Sequence, residues 1–146
     1  PKCAPPWPHS DAMTEAQRIA AILANCRTVA VVGLSPKPHR DSFDVARAMQ
    51  AQGWRIIPVN PNATQVLGEP AYPSLLEAAR HERIELVNVF RNSHEVLPVA
   101  QEAVAIGAKG LWLQLGVENE QAAQLASAAG LWVVQNRCLK VEWARR

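Results

Sequence analysis

No stretch of this chain approaches the roughly 20 consecutive apolar residues that a membrane-spanning helix requires. No basic segment followed by an apolar core opens it either, so neither a membrane span nor a targeting signal is expected. Cysteine is scarce: Cys3, Cys26 and Cys138 are odd in number and far apart, which fits neither a disulfide framework nor a zinc ligand set and points to a reducing, cytoplasmic setting. Charge of one sign is lacking too. The 15 Lys and Arg against 13 Asp and Glu leave a net +2, and no basic run interleaves with aromatics, so no nucleic-acid footprint is read. Internal repeats and low-complexity domain boundaries are absent as well.

What is present is a globular composition, 49% apolar and 19% charged over 146 residues, enough for one domain with one core. Residues 1–13 read as an N-terminal arm, since Pro1, Pro5, Pro6 and Pro8 remove backbone donors; residues 14–146 read as the domain. From Thr14 the spacing of Ile19, Ile22 and Leu23 predicts an extra N-terminal helix, with Thr14 and Gln17 suited to cap it.

Beyond that helix, short β-branched runs alternate with longer helical patterns. Thr28 to Val32, Arg55 to Val59, Leu86 to Phe90, Leu111 to Leu115 and Leu131 to Val134 read as strands. Between them, Ser42 to Gln52, Ser74 to Arg80, Leu97 to Ile106 and Glu118 to Ala129 read as helices, three of them stopped by Gly53, Gly107 and Gly130. The tail from Gln135 to Arg146 has no assigned structure. This alternation predicts an α/β fold: a doubly wound, five-stranded parallel sheet covered on both faces. Ligands of such sheets sit beyond the strand carboxyl ends, so the segments following strands carry the functional reading.

The first such segment, Gly33-Leu34-Ser35-Pro36-Lys37-Pro38-His39-Arg40, leads into a helix start. Helix N–H groups, the Ser35 hydroxyl and the Lys37 and Arg40 charges all suit a phosphate there; solvated loop charges around a tight glycine turn are the alternative. A dinucleotide fingerprint needs three glycines in this turn, and only Gly33 is present, which disfavours a standard NAD site. After the second strand stands Asn60-Pro61, not the carboxylate that would hold a ribose 2′-hydroxyl. A phosphorylated ribose, as in coenzyme A or NADP, suits that change; an Asx-turn at Asn60 is the alternative. Phe90, Arg91 and Gln114 follow the third and fourth strands, and Arg91 either faces a ligand or pairs with Glu95 or another carboxylate of the following helix.

Val31-Val32-Gly33-Leu34-Ser35-Pro36-Lys37-Pro38-His39-Arg40, Pro58-Val59-Asn60-Pro61, Val89-Phe90-Arg91, Gly107-Ala108-Lys109, Leu113-Gln114-Leu115-Gly116 and Arg137-Cys138 together resemble the small CoA-binding protein family. That family is similar to the Rossmann-like CoA-binding domain of succinyl-CoA synthetase alpha subunits, and the resemblance runs from about Ile19 to the C-terminus. It implies that Gly33, Ser35, Lys37 and Arg40 surround the CoA phosphates, with His39 as a further donor. Asn60 and Pro61 would border the adenosine part, and Phe90, Arg91 and Gln114 would line the remaining cleft. Leu34 and Val59, inside the same motifs, belong to the implied site.

The chain departs from the family pattern at Asn88, Asn136 and Trp143, where acids or a histidine are common, and at Asp41, where a proline is common. No glycine-rich phosphohistidine setting surrounds His9, His39, His81 or His94, so neither a catalytic group nor a metal is expected. The expected ligand is CoA or an acyl-CoA. An NADP-type oxidoreductase and a CoA-binding subunit of a larger acyl-CoA-processing complex are the alternatives, and a homodimer stays open. Cys138, flanked by Arg137 and Lys140, is the one cysteine with a reactive context, and a mixed disulfide with CoA is its sharpest reading. Trp112 and Trp132 read as core, while Trp54 and Trp143 are candidates for stacking on adenine or covering a subunit interface.

Overall fold

Helix α1 (Glu15–Asn25) begins at a capping box: Thr14 Oγ1 accepts from the Gln17 N–H at 3.1 Å, and Gln17 Oε1 accepts from the Thr14 N–H at 2.9 Å. The computed structural model describes residues 12–146, so the arm expected before this helix lies outside the described residues except for Ala12 and Met13. The chain continues through β1 (Thr28–Val32), α2 (Asp41–Ala51), β2 (Arg55–Val59), β3 (Gln65–Val66), β4 (Glu69–Pro70) and α3 (Leu75–Ala79). It ends with β5 (Leu86–Val89), α4 (Val96–Ala105), β6 (Gly110–Leu113), α5 (Glu120–Ala128), β7 (Trp132–Val134) and α6 (Leu139–Arg145).

Five of these strands form one parallel sheet in the order β2-β1-β5-β6-β7, so the fold class read from the sequence is the observed one. Alternation along β1 sends Val29 and Val31 to one face, with Ile22, Met49, Trp112, Trp132 and Trp143, and Ala30 and Val32 to the other, with Leu75, Val96, Ala100 and Ala122. Helices α1, α2 and α6 therefore cover one face, and α3, α4 and α5 the other. The chain runs outward from β1 to β2 and then crosses back to β5, which puts the reversal of strand order between β1 and β5. Pro58 lies on β2, an edge strand, where a missing N–H is tolerated.

A hairpin and a C-terminal helix escaped the sequence reading. A hairpin joins β3 to β4 through Leu67 and Gly68, both at positive φ (55° and 77°), a two-residue turn without the Asn-Gly signature. The tail forms α6, anchored by Leu139 and Trp143, four residues apart and both buried. Trp54 and Trp143 are also buried, edge to face with ring centroids 5.4 Å apart, and Arg27 lies 4.7 Å from the Trp143 ring. Their rings are core, which corrects the readings of adenine stacking and interface cover. The strand expected to reach Leu115 stops at Leu113, because Gly116, at φ +87°, turns the chain and leaves Leu115 67% exposed.

Glu85 ties the sheet's amino edge together. Its Oε1 accepts from the Arg27 N–H at 2.8 Å and the Thr28 N–H at 3.2 Å, and its Oε2 from Lys109 Nζ at 3.2 Å. Burial alone would raise this carboxyl, but the Arg27, Lys109 and Thr28 donors outweigh it and hold it below the usual glutamate range. A depressed carboxyl stabilises the fold above its unfolded pKa, about 4.3, and that contribution is lost as pH falls through the lower folded value. Glu85→Ala should cost about 1–2 kcal/mol at neutral pH. Denaturant midpoints of wild type and variant should converge in acid; a gap unchanged down to the acid end would remove the charge-based account.

Candidate functional site

At the end of β1 the backbone turns at Gly33 with φ +89°, and an added Cβ would stand 2.6 Å from the Phe90 carbonyl oxygen. Only glycine lets the first loop pass this close to the end of β5. The Gly33 N–H donates to the Val59 carbonyl at 2.9 Å, so the loops after β1, β2 and β5 start from one shared corner.

The loop itself is held by short-range bonds. The Ser35 N–H donates to the buried Ser42 Oγ at 3.0 Å, and Ser35 Oγ accepts from the Lys37 N–H at 3.1 Å. Arg40 is the N-cap of the 11-residue α2 in extended conformation, and its side chain makes no capping bond. The leading N–H groups of α2 thus have no side-chain acceptor. Lys37, His39 and Arg40 are exposed, and among the described residues no ion pair engages Lys37, Arg40 or Arg91. Arg91 therefore does not pair with Glu95. N–H donors and cations without anionic partners gather at this helix start and favour an anion, against the Asp41 carboxylate of the same first turn; Asp44 there is paired with Lys140.

Asn60 combines two roles. Its Oδ1 accepts from the Asn62 N–H at 2.8 Å, the Asx-turn considered above, while its Nδ2 donates to the Leu34 carbonyl at 2.9 Å across the two loops. Both polar atoms of the side chain are thus engaged in holding the loops. The Leu34 and Val59 side chains are buried, so these two residues shape the corner mainly through backbone, and Pro61 is exposed.

Two clefts open at the carboxyl edge. One, of about 530 Å³, is lined by Phe90, Arg91 and Gln114 together with Leu115, Cys138 and Val141, and Asp41 and Asp44 lie on its rim. The other, of about 490 Å³, includes Val32, Val59, Pro73, His94 and Glu102, and Arg91 lines it too. Arg91 thus stands between them at the switch point. A larger groove of about 600 Å³ runs between α1 and α6, away from the strand ends where ligands of this fold bind.

The structure brings Phe90, Arg91 and Gln114 into one cleft and keeps Lys37, His39 and Arg40 on the loop, outside both linings. Sequence reasoning missed Leu115 and Val141 as cleft residues. They are two of the three large exposed apolar side chains among the described residues, 67% and 41% exposed. Their signal was an apolar residue beside a turn glycine and another on an unassigned helix. Arg137 and Lys140, read as flanking Cys138, are both committed elsewhere, to Glu15 at 2.7 Å and to Asp44 at 2.9 Å. The Lys140 hydrogen bond holds the Asp44 carboxyl below its usual range and ties α6 to α2.

A family model described as a CoA binding domain matches residues 27–144. The Bacillus subtilis (strain 168) protein YneT is 42% identical over 126 residues, covering 86% of this chain and 92% of its own. A solved structure from Pyrococcus horikoshii OT3 is similar with TM-score 0.84 and 34% identity, covering 97% of this chain and 98% of that one. Another, from Thermus thermophilus, has TM-score 0.82 and 33% identity, covering 91% and 98%.

Proposed function

The chain belongs to the CoA-binding domain family, and from that premise we propose that it binds coenzyme A or an acyl-CoA at the carboxyl edge of the sheet, without catalysis of its own. The observation that carries this reading is the uncapped start of α2 beside Lys37 and Arg40, which no carboxylate among the described residues engages. Phosphates placed there meet helix N–H groups, two cations and the exposed His39. The corner built by Gly33, Leu34, Val59, Asn60 and Pro61 borders the adenosine part, and Phe90, Arg91 and Gln114 receive the rest of the ligand. His39, His81 and His94 are all exposed, and His81 is held between Glu77, at 3.5 Å, and the Tyr72 ring, which favours binding over histidine chemistry.

Calorimetric titration of the protein with CoA, dephospho-CoA and NADPH tests the reading. CoA should bind best, and the Lys37→Ala, Arg40→Ala double variant should weaken it about 10–100-fold, the loss of two charge-assisted contacts. No CoA binding, or tighter NADPH binding, would reverse the assignment in favour of a nucleotide-dependent oxidoreductase.

A further inference from the structure

The 530 Å³ cleft is distinct in chemistry from the loop expected to take the phosphates. Val45, Phe90, Leu115, Val117 and Val141 give it apolar walls; of its charged lining residues, Asp44 is paired with Lys140, which leaves Asp41 and Arg91, of opposite sign. The apolar walls suit an uncharged, flexible chain carrying amides, with its far end reaching Cys138, half-buried in the lining at the start of α6.

A second observation comes from Gln114, only 6% exposed and part of the same lining. Its Oε1 accepts from Asn88 Nδ2 at 3.2 Å and from the Leu139 N–H at 3.4 Å. Two donors converging on that oxygen prevent the amide from flipping. Its NH2 group is left without a protein partner, yet it is not among the fully enclosed unpaired atoms, so it opens on the cleft. A buried amide donor kept free at the cleft wall is matched by a ligand carbonyl. The uncharged arm of CoA supplies such carbonyls and ends in a thiol.

Resting on the CoA-binding reading, we propose that this cleft holds the thiol-bearing arm of CoA, with Gln114 as an amide donor to it, and that Cys138 is a thiol-exchange site that captures CoA as a mixed disulfide. In the exchange, the Cys138 thiolate attacks one sulfur of CoA disulfide. A bond forms between Cys138 Sγ and that sulfur, the original S–S bond breaks, and the second CoA departs as a thiolate that takes up a proton. The proton lost by Cys138 goes to solvent. One disulfide is consumed and one is formed, so no further oxidant is required. The bound form would report the redox state of the surrounding CoA pool.

The experiment has two arms. Titration with CoA under reducing conditions tests the underlying reading; no binding there removes that reading and this inference together. Incubation with CoA disulfide, followed by intact-mass analysis and peptide mapping, tests the inference itself. One reducible CoA adduct is expected at Cys138, formed about tenfold or more faster than the adduct from glutathione disulfide at equal concentration, because CoA is prepositioned. An excess of a CoA thioether should slow it. Cys26 is the internal control: burial pushes its thiol up to about 12, and it should stay unlabelled. CoA binding without a Cys138 adduct, an adduct confined to Cys3, or equal rates with glutathione disulfide would each overturn the inference while leaving the binding reading intact.

Discussion

Gly33→Ala should destabilise the protein by about 2–4 kcal/mol and reduce CoA binding below detection, read by denaturant unfolding and by calorimetry on the fraction that folds. Two costs combine at this position. The φ of +89° is one that a residue with a Cβ rarely adopts, and the Cβ would stand 2.6 Å from the Phe90 carbonyl oxygen, where backbone must move. The displaced backbone is the shared corner of the loops after β1, β2 and β5, held by the bond from Gly33 N to the Val59 carbonyl and by the Asn60 bond to Leu34. Binding should therefore fall more steeply than stability. Gly53→Ala is the comparison: its φ of +93° is similarly strained, but nothing lies within 4 Å of its Cβ, so it should cost less and leave binding unchanged. Equal effects of the two substitutions would remove the close approach as the cause.

Trp112→Ala should cost about 3–5 kcal/mol, measured as a shift in the denaturant midpoint at constant slope. The ring is fully buried on β6 between Asn88 and Val134 of the neighbouring strands. No element can close over the cavity without distorting the sheet. Trp112 also reaches the cleft region indirectly, because its Nε1–H donates to the Arg137 carbonyl at 2.8 Å and so fixes the turn leading to Cys138. Trp112→Phe keeps most of the volume and removes that bond, so it should cost only about 1–2 kcal/mol. A Phe variant as damaging as the Ala variant would mean that the hydrogen bond, not the packing, dominates.

Much of the fold was legible because its signals are local. Each sheet strand is a mainly apolar, mainly buried run, each main helix carries a 3.6-residue stripe, and Thr14 with Gln17 forms a capping box from residues three apart. The elements that escaped, the hairpin through Leu67 and Gly68 and the helix α6, are short. Their stabilisation comes from distant partners: Gln50 Nε2 donates to the Leu67 carbonyl at 3.0 Å, and Trp143 packs on Trp54.

The same division runs through the candidate site. Sequence alone determined the α/β alternation, the single glycine after β1 and the cations of the loop behind it, because each is a matter of residue type and spacing within a few positions. Only tertiary structure decided which cations lack carboxylate partners. Arg137 and Lys140 are engaged by Glu15 and Asp44, 122 and 96 positions away, whereas Lys37, Arg40 and Arg91 have no ion pair among the described residues. Tertiary structure likewise gathered Arg91, Gln114, Leu115, Cys138 and Val141 around one cleft. Pairing and burial depend on distances between segments brought together by the parallel crossovers, and no local pattern encodes those distances.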